Sequence, residues 1–249
     1  MKTTDILYNV GLTEKVYSEL KDINFKSLGL ELVKWIDHKP SDTQGFVAVQ
    51  DKDIYIVWRG SSSKKDFQND ASIDKVPFVQ PGEKVHIGFK SSWDAVKDDT
   101  YKALEAALEK LGGEEKINNV IVCGHSLGAA VATLCAYEVW SIYKTDKVIA
   151  CTIGSPRVGN SEFVKNFNAA PIESLRIVHN NDIVTTSPII GYKHVNHELR
   201  IDDQGNPKKW MIDWERAWGY LKSVVTGQNI KDHMTANYIA ALEKWAQKN

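Results

Sequence analysis

Residues 119 to 136 read NVIVCGHSLGAAVATLCA, and this stretch decides the fold. Val120, Ile121, Val122 and Cys123 form a short apolar run of the kind that makes a strand buried on both faces. From residue 126 to 140 the chain switches to small and helix-forming types with no proline, which predicts a closely packed helix. Between the two lies Gly124-His125-Ser126-Leu127-Gly128, a GxSxG sequence at a strand-to-helix junction. A nucleophile elbow places its serine on such a turn, sharp and strained, with the hydroxyl exposed. Gly124 and Gly128 lack a Cβ, so strand and helix can approach closely around it. The free N–H groups of the first helical turn then face any oxyanion formed at the serine.

Working back towards the N-terminus, Ile6, Val10, Val16 (or Tyr17) and Leu20 recur near helical spacing, predicting an amphipathic helix over 4–21. Three strands follow at 30–37, 44–50 and 53–58, the last two joined by a tight turn at Asp51-Lys52. Ile54 to Trp58 is continuously apolar, as a central strand is. It ends at Arg59-Gly60-Ser61, after which the chain is polar through Asp74. Phe89, Trp93, Val96, Leu104, Leu108 and Leu111 mark a long helix stopped by Gly112-Gly113. Beyond the elbow come strands at 148–153 and 175–178 with a short helix between them, then a strand at 192–201. Strands alternating with helices predict an α/β class with a mostly parallel sheet, in one domain over residues 1–249.

Composition limits the function classes. With 31 basic and 32 acidic residues the net charge is -1, which gives no electrostatic case for nucleic acid. No run of 18 apolar residues is present, so no membrane-spanning helix is expected. The first ten residues lack the apolar core of a signal peptide. Cytoplasmic residence, or secretion with a leader removed or by another route, both fit. Cys123, Cys135 and Cys151 sit in apolar segments without metal-ligand spacing and read as buried free thiols.

A serine hydroxyl is a weak nucleophile until a base takes its proton, and a carboxylate orients that base. In an elbow fold the order is serine, acid, histidine, on loops after successive strands. Asp182, just past the 175–178 strand, is the leading acid, with Asp202, Asp203 and Asp213 as weaker alternatives. Among the later histidines, His194 and His197 fall in the predicted 192–201 strand and point to opposite faces. His233 opens the last helix from a loop able to reach over the sheet, and is favoured as the base. Oxyanion donors are expected from the Leu127 N–H and from Ser61 after the central strand.

These residues resemble the class 3, or fungal-type, triacylglycerol lipases of the α/β-hydrolase fold. Trp58-Arg59-Gly60-Ser61 is similar to that family's oxyanion strand end, and Val85-His86-Ile87-Gly88-Phe89 with Trp93 to its VHxGF segment. Gly154-Ser155-Pro156-Arg157-Val158-Gly159-Asn160 resembles its G-x-P-R-V-G-N loop. Asn181-Asp182 is like its acid loop, and Asp232-His233 like its histidine loop. The likeness runs over residues 45–200 and returns at 232. It implies ester hydrolysis without metal or cofactor through an acyl-enzyme on Ser126, acting on acyl esters such as acylglycerols, with transient contact to a lipid surface. Phospholipase or feruloyl-type esterase activity is the alternative on the same fold. A non-catalytic scaffold would lack one of the four site elements, and none is missing.

Residues 62–76 match the family's lid, and Phe67 there and His125 beside the serine are the candidate substrate-binding residues. Burying Phe67 and Ile73 is worth about 1.5–3 kcal/mol each, set against six charged residues in that segment. The sequence therefore predicts a loosely held flap and weak interfacial activation. Ala129 stands where the family commonly has glycine. Residues 207–226 predict a further helix with Trp210, Trp214 and Trp218 along one face, packing on the core or walling the acyl pocket.

Overall fold

The structure, a computed structural model, describes residues 1–61, 74–195, 197–208 and 231–249. Most of the candidate lid, with Phe67, and the segment carrying Asp213 and the three spaced tryptophans lie outside the described residues. The chain begins with helix α1 (Thr3–Lys15) and continues through strands β1 (Glu31–His38), β2 (Thr43–Gln50) and β3 (Asp53–Trp58). A short ribbon, β4 (Lys75–Pro77) and β5 (Lys84–His86), leads into the long helix α2 (Ile87–Leu111). The elbow unit is β6 (Asn119–His125) followed by α3 (Leu127–Tyr143). Then come β7 (Val148–Ile153), α4 (Ser161–Ala169), β8 (Glu173–His179), β9 (Glu198–Ile201) and α5 (Thr235–Ala246).

Seven strands form one sheet in the order β1-β2-β3-β6-β7-β8-β9, antiparallel from β1 to β3 and parallel from β3 onward. Continuous apolar runs at its centre are explained by burial on both faces. Val47, Ile54, Ile56, Trp58, Val120 and Val122 pack with α2 and α3 on one side. Phe46, Ala48, Tyr55, Val57, Ile121 and Cys123 alternate to the other, against α1 and α5. Asn160 caps α4 through its side chain, which accepts from the Phe163 N–H at 2.9 Å. At the far edge, Glu198 accepts from Arg176 at 2.6 Å and Arg200 at 2.9 Å, tying β8 to β9. All three cysteines are buried and unpaired. Among the described residues no helix is long and apolar enough to cross a membrane.

Three local expectations are corrected. The first helix ends at Lys15 rather than at residue 21, because Leu20, which extended the apolar spacing, is exposed and has no core to hold another turn. The strand expected over 192–201 is only Glu198–Ile201. Lys193 is drawn instead to Gly159, its N–H 2.8 Å from that carbonyl, and His197 has a left-handed φ of 62° that breaks an extended chain. His194 and His197 therefore do not lie on opposite faces of one strand. Finally, Lys75 and Val76, at the end of the lid candidate, belong to β4, which pairs with β5.

Close approach at the elbow makes a direct test of the fold. A Cβ on Gly124 would collide with the backbone carbonyl of Gly128 in the first turn of α3, whereas a Cβ on Gly11 in α1 meets nothing within 4 Å. Gly124→Ala is expected to lose about 1–3 kcal/mol in urea unfolding, and Gly11→Ala to gain about 0.5–1 kcal/mol.

Candidate active site

Ser126 sits between β6 and α3 with φ 58° and ψ −123°, a region that residues with side chains rarely occupy. Its backbone is pinned on both sides. Its N–H donates to the Ile153 carbonyl at 3.1 Å, and its own carbonyl accepts from Ala129 and Ala130 at 3.0 and 3.3 Å. The side chain makes no capping bond to the helix, which leaves the hydroxyl for other work. Oγ lies 2.8 Å from His233 Nε2, and His233 Nδ1 lies 2.8 Å from Asp182 Oδ2. A carboxylate accepts only, so Nδ1 carries the proton and Nε2 accepts from the serine hydroxyl.

Asp182 has no solvent exposure. Its Oδ1 accepts from the Val184 N–H at 2.9 Å, and Oδ2 also accepts from the Tyr238 hydroxyl at 2.6 Å. Burial by itself raises its carboxyl. The charge of His233 and hydrogen bonds from His233 and Tyr238 outweigh burial and hold it below the ordinary carboxylate value. The loop of His233 is held from several directions. Asp232 Oδ2 accepts from the Asn181 N–H at 3.3 Å, and the Asp232 carbonyl faces His179 Nδ1 at 3.1 Å. The His233 ring packs over Gly154, where an added Cβ would lie 2.9 Å from Cε1.

The other candidates fall as follows. Leu127 is the first residue of α3 and half-buried, so its N–H has no acceptor one helical turn back. Ser61, half-buried, follows Gly60, whose Cα packs against Ser126 closely enough that a Cβ would lie 2.9 Å from the serine Cβ. His125 is 5% exposed, with Nδ1 2.6 Å from the Tyr17 hydroxyl and Nε2 2.9 Å from the His233 carbonyl. Both ring nitrogens are taken by the protein, so its ring has no polar atom left to offer a substrate. His194 bonds the Thr185 carbonyl at 2.6 Å, and Asp202 caps a turn through the Gln204 and Asn206 N–H groups. Asp203 pairs with His179 at 3.0 Å. His179, Asp203 and Asp232 are the group that could hold a cation among the described residues, with ligand atoms within 4.8 Å of one another. Sequence reading missed Tyr17 and Tyr238, which touch the site only through the tertiary fold. The one signal for Tyr238 is its place one turn into the helix behind His233.

A model of the family described as Lipase (class 3) matches residues 55–192. The chain is 33% identical over 208 residues to phospholipase A1-II 1 of Oryza sativa subsp. indica, covering 69% of this chain and 53% of that protein. It is 35% identical over 176 residues to secreted mono- and diacylglycerol lipase A of Penicillium cyclopium, covering 68% and 55%. The chain thus spans about half the length of the curated relatives it matches. A solved triacylglycerol lipase, described as having a serine protease triad as its catalytic centre, superposes with a TM-score of 0.73 at 28% identity over 82% of each chain. A lipase from Rhizopus microsporus var. chinensis superposes with the same TM-score of 0.73 at 28% identity, covering 80% of this chain and 74% of its own.

The buried His125 makes acid stability a test of this geometry. Burial, and then the nearby His233, push its pKa from 6.5 down to about 3, so the folded protein keeps it neutral. Once unfolded, the ring binds a proton below its ordinary value, so stability falls with pH across that window. Between pH 7 and 5 the urea-unfolding free energy is expected to drop by about 2 kcal/mol, and to stay nearly flat in His125→Asn. Asp182 and Glu198, both held below ordinary carboxylate values, add their losses only at lower pH, where they too become protonated. A wild-type curve that is flat from pH 7 to 5 contradicts the neutral, buried imidazole.

Proposed function

Because this chain belongs to the class 3 lipase family, we propose that it is a serine ester hydrolase that cleaves acyl esters through an acyl-enzyme on Ser126. The observation that carries this reading is the continuous hydrogen-bonded series Asp182–His233–Ser126, with both links at 2.8 Å. In this reading His233 Nε2 takes the hydroxyl proton as Oγ attacks the ester carbonyl carbon. The oxyanion that forms is received by the Leu127 N–H and by Ser61. Collapse breaks the bond to the alcohol oxygen, which leaves with the proton from His233. Water then repeats the sequence on the acyl-enzyme and releases the acid. Asp182 keeps Nδ1 protonated and stabilises the imidazolium without itself taking the proton. No step calls on a metal or cofactor.

Acylglycerols are the proposed substrates. Exposed Ile189, Ile190 and Met234, on the segments following Asp182 and His233, support transient contact with a lipid surface. The identity to the rice phospholipase A1 favours a second reading, with a phospholipid as the ester. One set of assays separates the two. Fatty-acid release is measured from a diacylglycerol and from phosphatidylcholine in the same mixed micelles. Faster release from the diacylglycerol supports the first reading, and faster release from phosphatidylcholine the second.

Ser126→Ala is expected to lower kcat on the preferred ester by roughly 10⁴-fold or more, and Asp182→Asn by up to roughly 10⁴-fold while leaving the fold intact. An alanine variant within tenfold of wild type contradicts the mechanism.

A further inference from the structure

We infer that Tyr17 and His125 form a positioning relay that joins the oxyanion loop to the backbone of His233. The inference rests on the hydrolase reading above for what is being positioned. Tyr17 lies just past the end of α1, and its hydroxyl reaches two partners that are far from it in sequence. The Gly60 N–H donates to it at 3.1 Å, and His125 Nδ1 lies 2.6 Å away. His125 Nε2 in turn is 2.9 Å from the His233 carbonyl.

The directions of these bonds follow from the chemistry of the end groups. A carbonyl only accepts, so Nε2 must carry the proton. In a neutral imidazole Nδ1 is then an acceptor, so the Tyr17 hydroxyl donates to it and accepts from Gly60. Every donor and acceptor in the series Gly60 N–H, Tyr17 O–H, His125, His233 C=O is used once. Burial supports the same protonation states. The Tyr17 hydroxyl is pushed up, chiefly by burial, and the His125 ring is held neutral, so neither charges near neutral pH.

Two consequences follow for the site. The Gly60 N–H is committed to Tyr17, so it is not free to meet an oxyanion, and that work falls to Ser61 and Leu127. Gly60 is also wedged in place, since a Cβ there would collide with the Tyr17 hydroxyl and come within 2.9 Å of the His125 carbonyl and Ser126 Cβ. Arg59 anchors the same loop by a 2.6 Å bond to Asp42. The relay therefore sets where the chain leaves β3 towards Ser61 and, at its other end, where His233 stands over Ser126. A single hydroxyl couples the two halves of the site.

Tyr17→Phe keeps the ring and its packing against His125, 5.8 Å between centroids, and deletes only that hydroxyl. Its kcat on a soluble ester is expected to fall roughly 10- to 100-fold, less than the loss of an oxyanion donor, with KM changed by no more than about twofold. His125→Asn is expected to lower kcat on a similar scale, and the double variant to be little worse than the poorer single one. Nitrogen-15 NMR of labelled histidine, with His125 assigned through His125→Asn, reads the tautomer directly. The relay requires Nε2–H in the wild type and a shifted Nδ1 signal in Tyr17→Phe. A wild-type His125 protonated at Nδ1, a Tyr17→Phe enzyme within twofold of wild-type kcat, a loss confined to KM, or multiplicative losses in the double variant each overturn it. An inactive wild-type protein overturns the hydrolase reading and the relay's purpose together, whereas any of the preceding results with an active wild type overturns the relay alone.

Discussion

Ser126 is held in a backbone conformation that costs on the order of 1–3 kcal/mol for a residue with a side chain, and the site depends on that constraint. The strain persists because neighbours fix the residue from both directions, β7 through its N–H and the first turn of α3 through its carbonyl. Gly124 lets β6 and α3 close to a separation that a Cβ would forbid, and Gly128 lets α3 press on the end of β3, where a Cβ would lie 2.5 Å from the Trp58 and Arg59 carbonyls. The carbonyl rather than the hydroxyl serves the helix, so Oγ remains available to His233. Sheet topology then does the rest of the placing. From β3 to β9 the strands run parallel, so their carboxyl ends share one edge, where α/β sheets collect their functional loops. Gly60-Ser61 leaves β3 beside the elbow, Asp182 leaves β8, and His233 follows β9.

Two buried ionisable groups at this edge are held in opposite ways. Asp182, without solvent, stays charged because the charge of the facing His233 and the hydrogen bonds from His233 and Tyr238 outweigh its lost hydration. His125, also buried, stays neutral because burial, and then the nearby His233, disfavour its charged form, while the Tyr17 hydroxyl and the His233 carbonyl occupy its two ring nitrogens. A charged His125 would put like charge 4.6 Å, ring to ring, from the imidazolium that the proposed mechanism forms on His233. In that mechanism its neutrality protects the histidine that changes protonation state.

Much of this was legible in the sequence, for reasons that differ from residue to residue. The elbow is local: a strand, a sharp turn and a helix are written in eighteen consecutive residues, and each has its own physical signature. Asp182 and His233 follow from chain order once the elbow is placed, because parallel strands deliver their following loops to one edge. Tyr17 and Tyr238 could not be found that way. Their hydroxyls meet partners 43 and 56 residues distant, at Gly60 and Asp182, and no local pattern marks a side chain for such a contact. The 192–201 segment misled because alternation promises an extended chain, whereas the Lys193–Gly159 backbone bond and the turn at His197 redirect it. Leu20 misled the same way, carrying helical spacing past the point where a core exists to reward it.

In the proposed mechanism Ser126 alone, among the hydroxyls of the chain, is activated as a nucleophile. The most direct test is covalent: treat the folded protein with an alkyl fluorophosphonate, measure the intact mass, and map the peptides. A single adduct, located on Ser126, is expected, and none after prior unfolding or in Asp182→Asn on the same timescale. An adduct on another residue, or equal labelling of the unfolded chain, contradicts it.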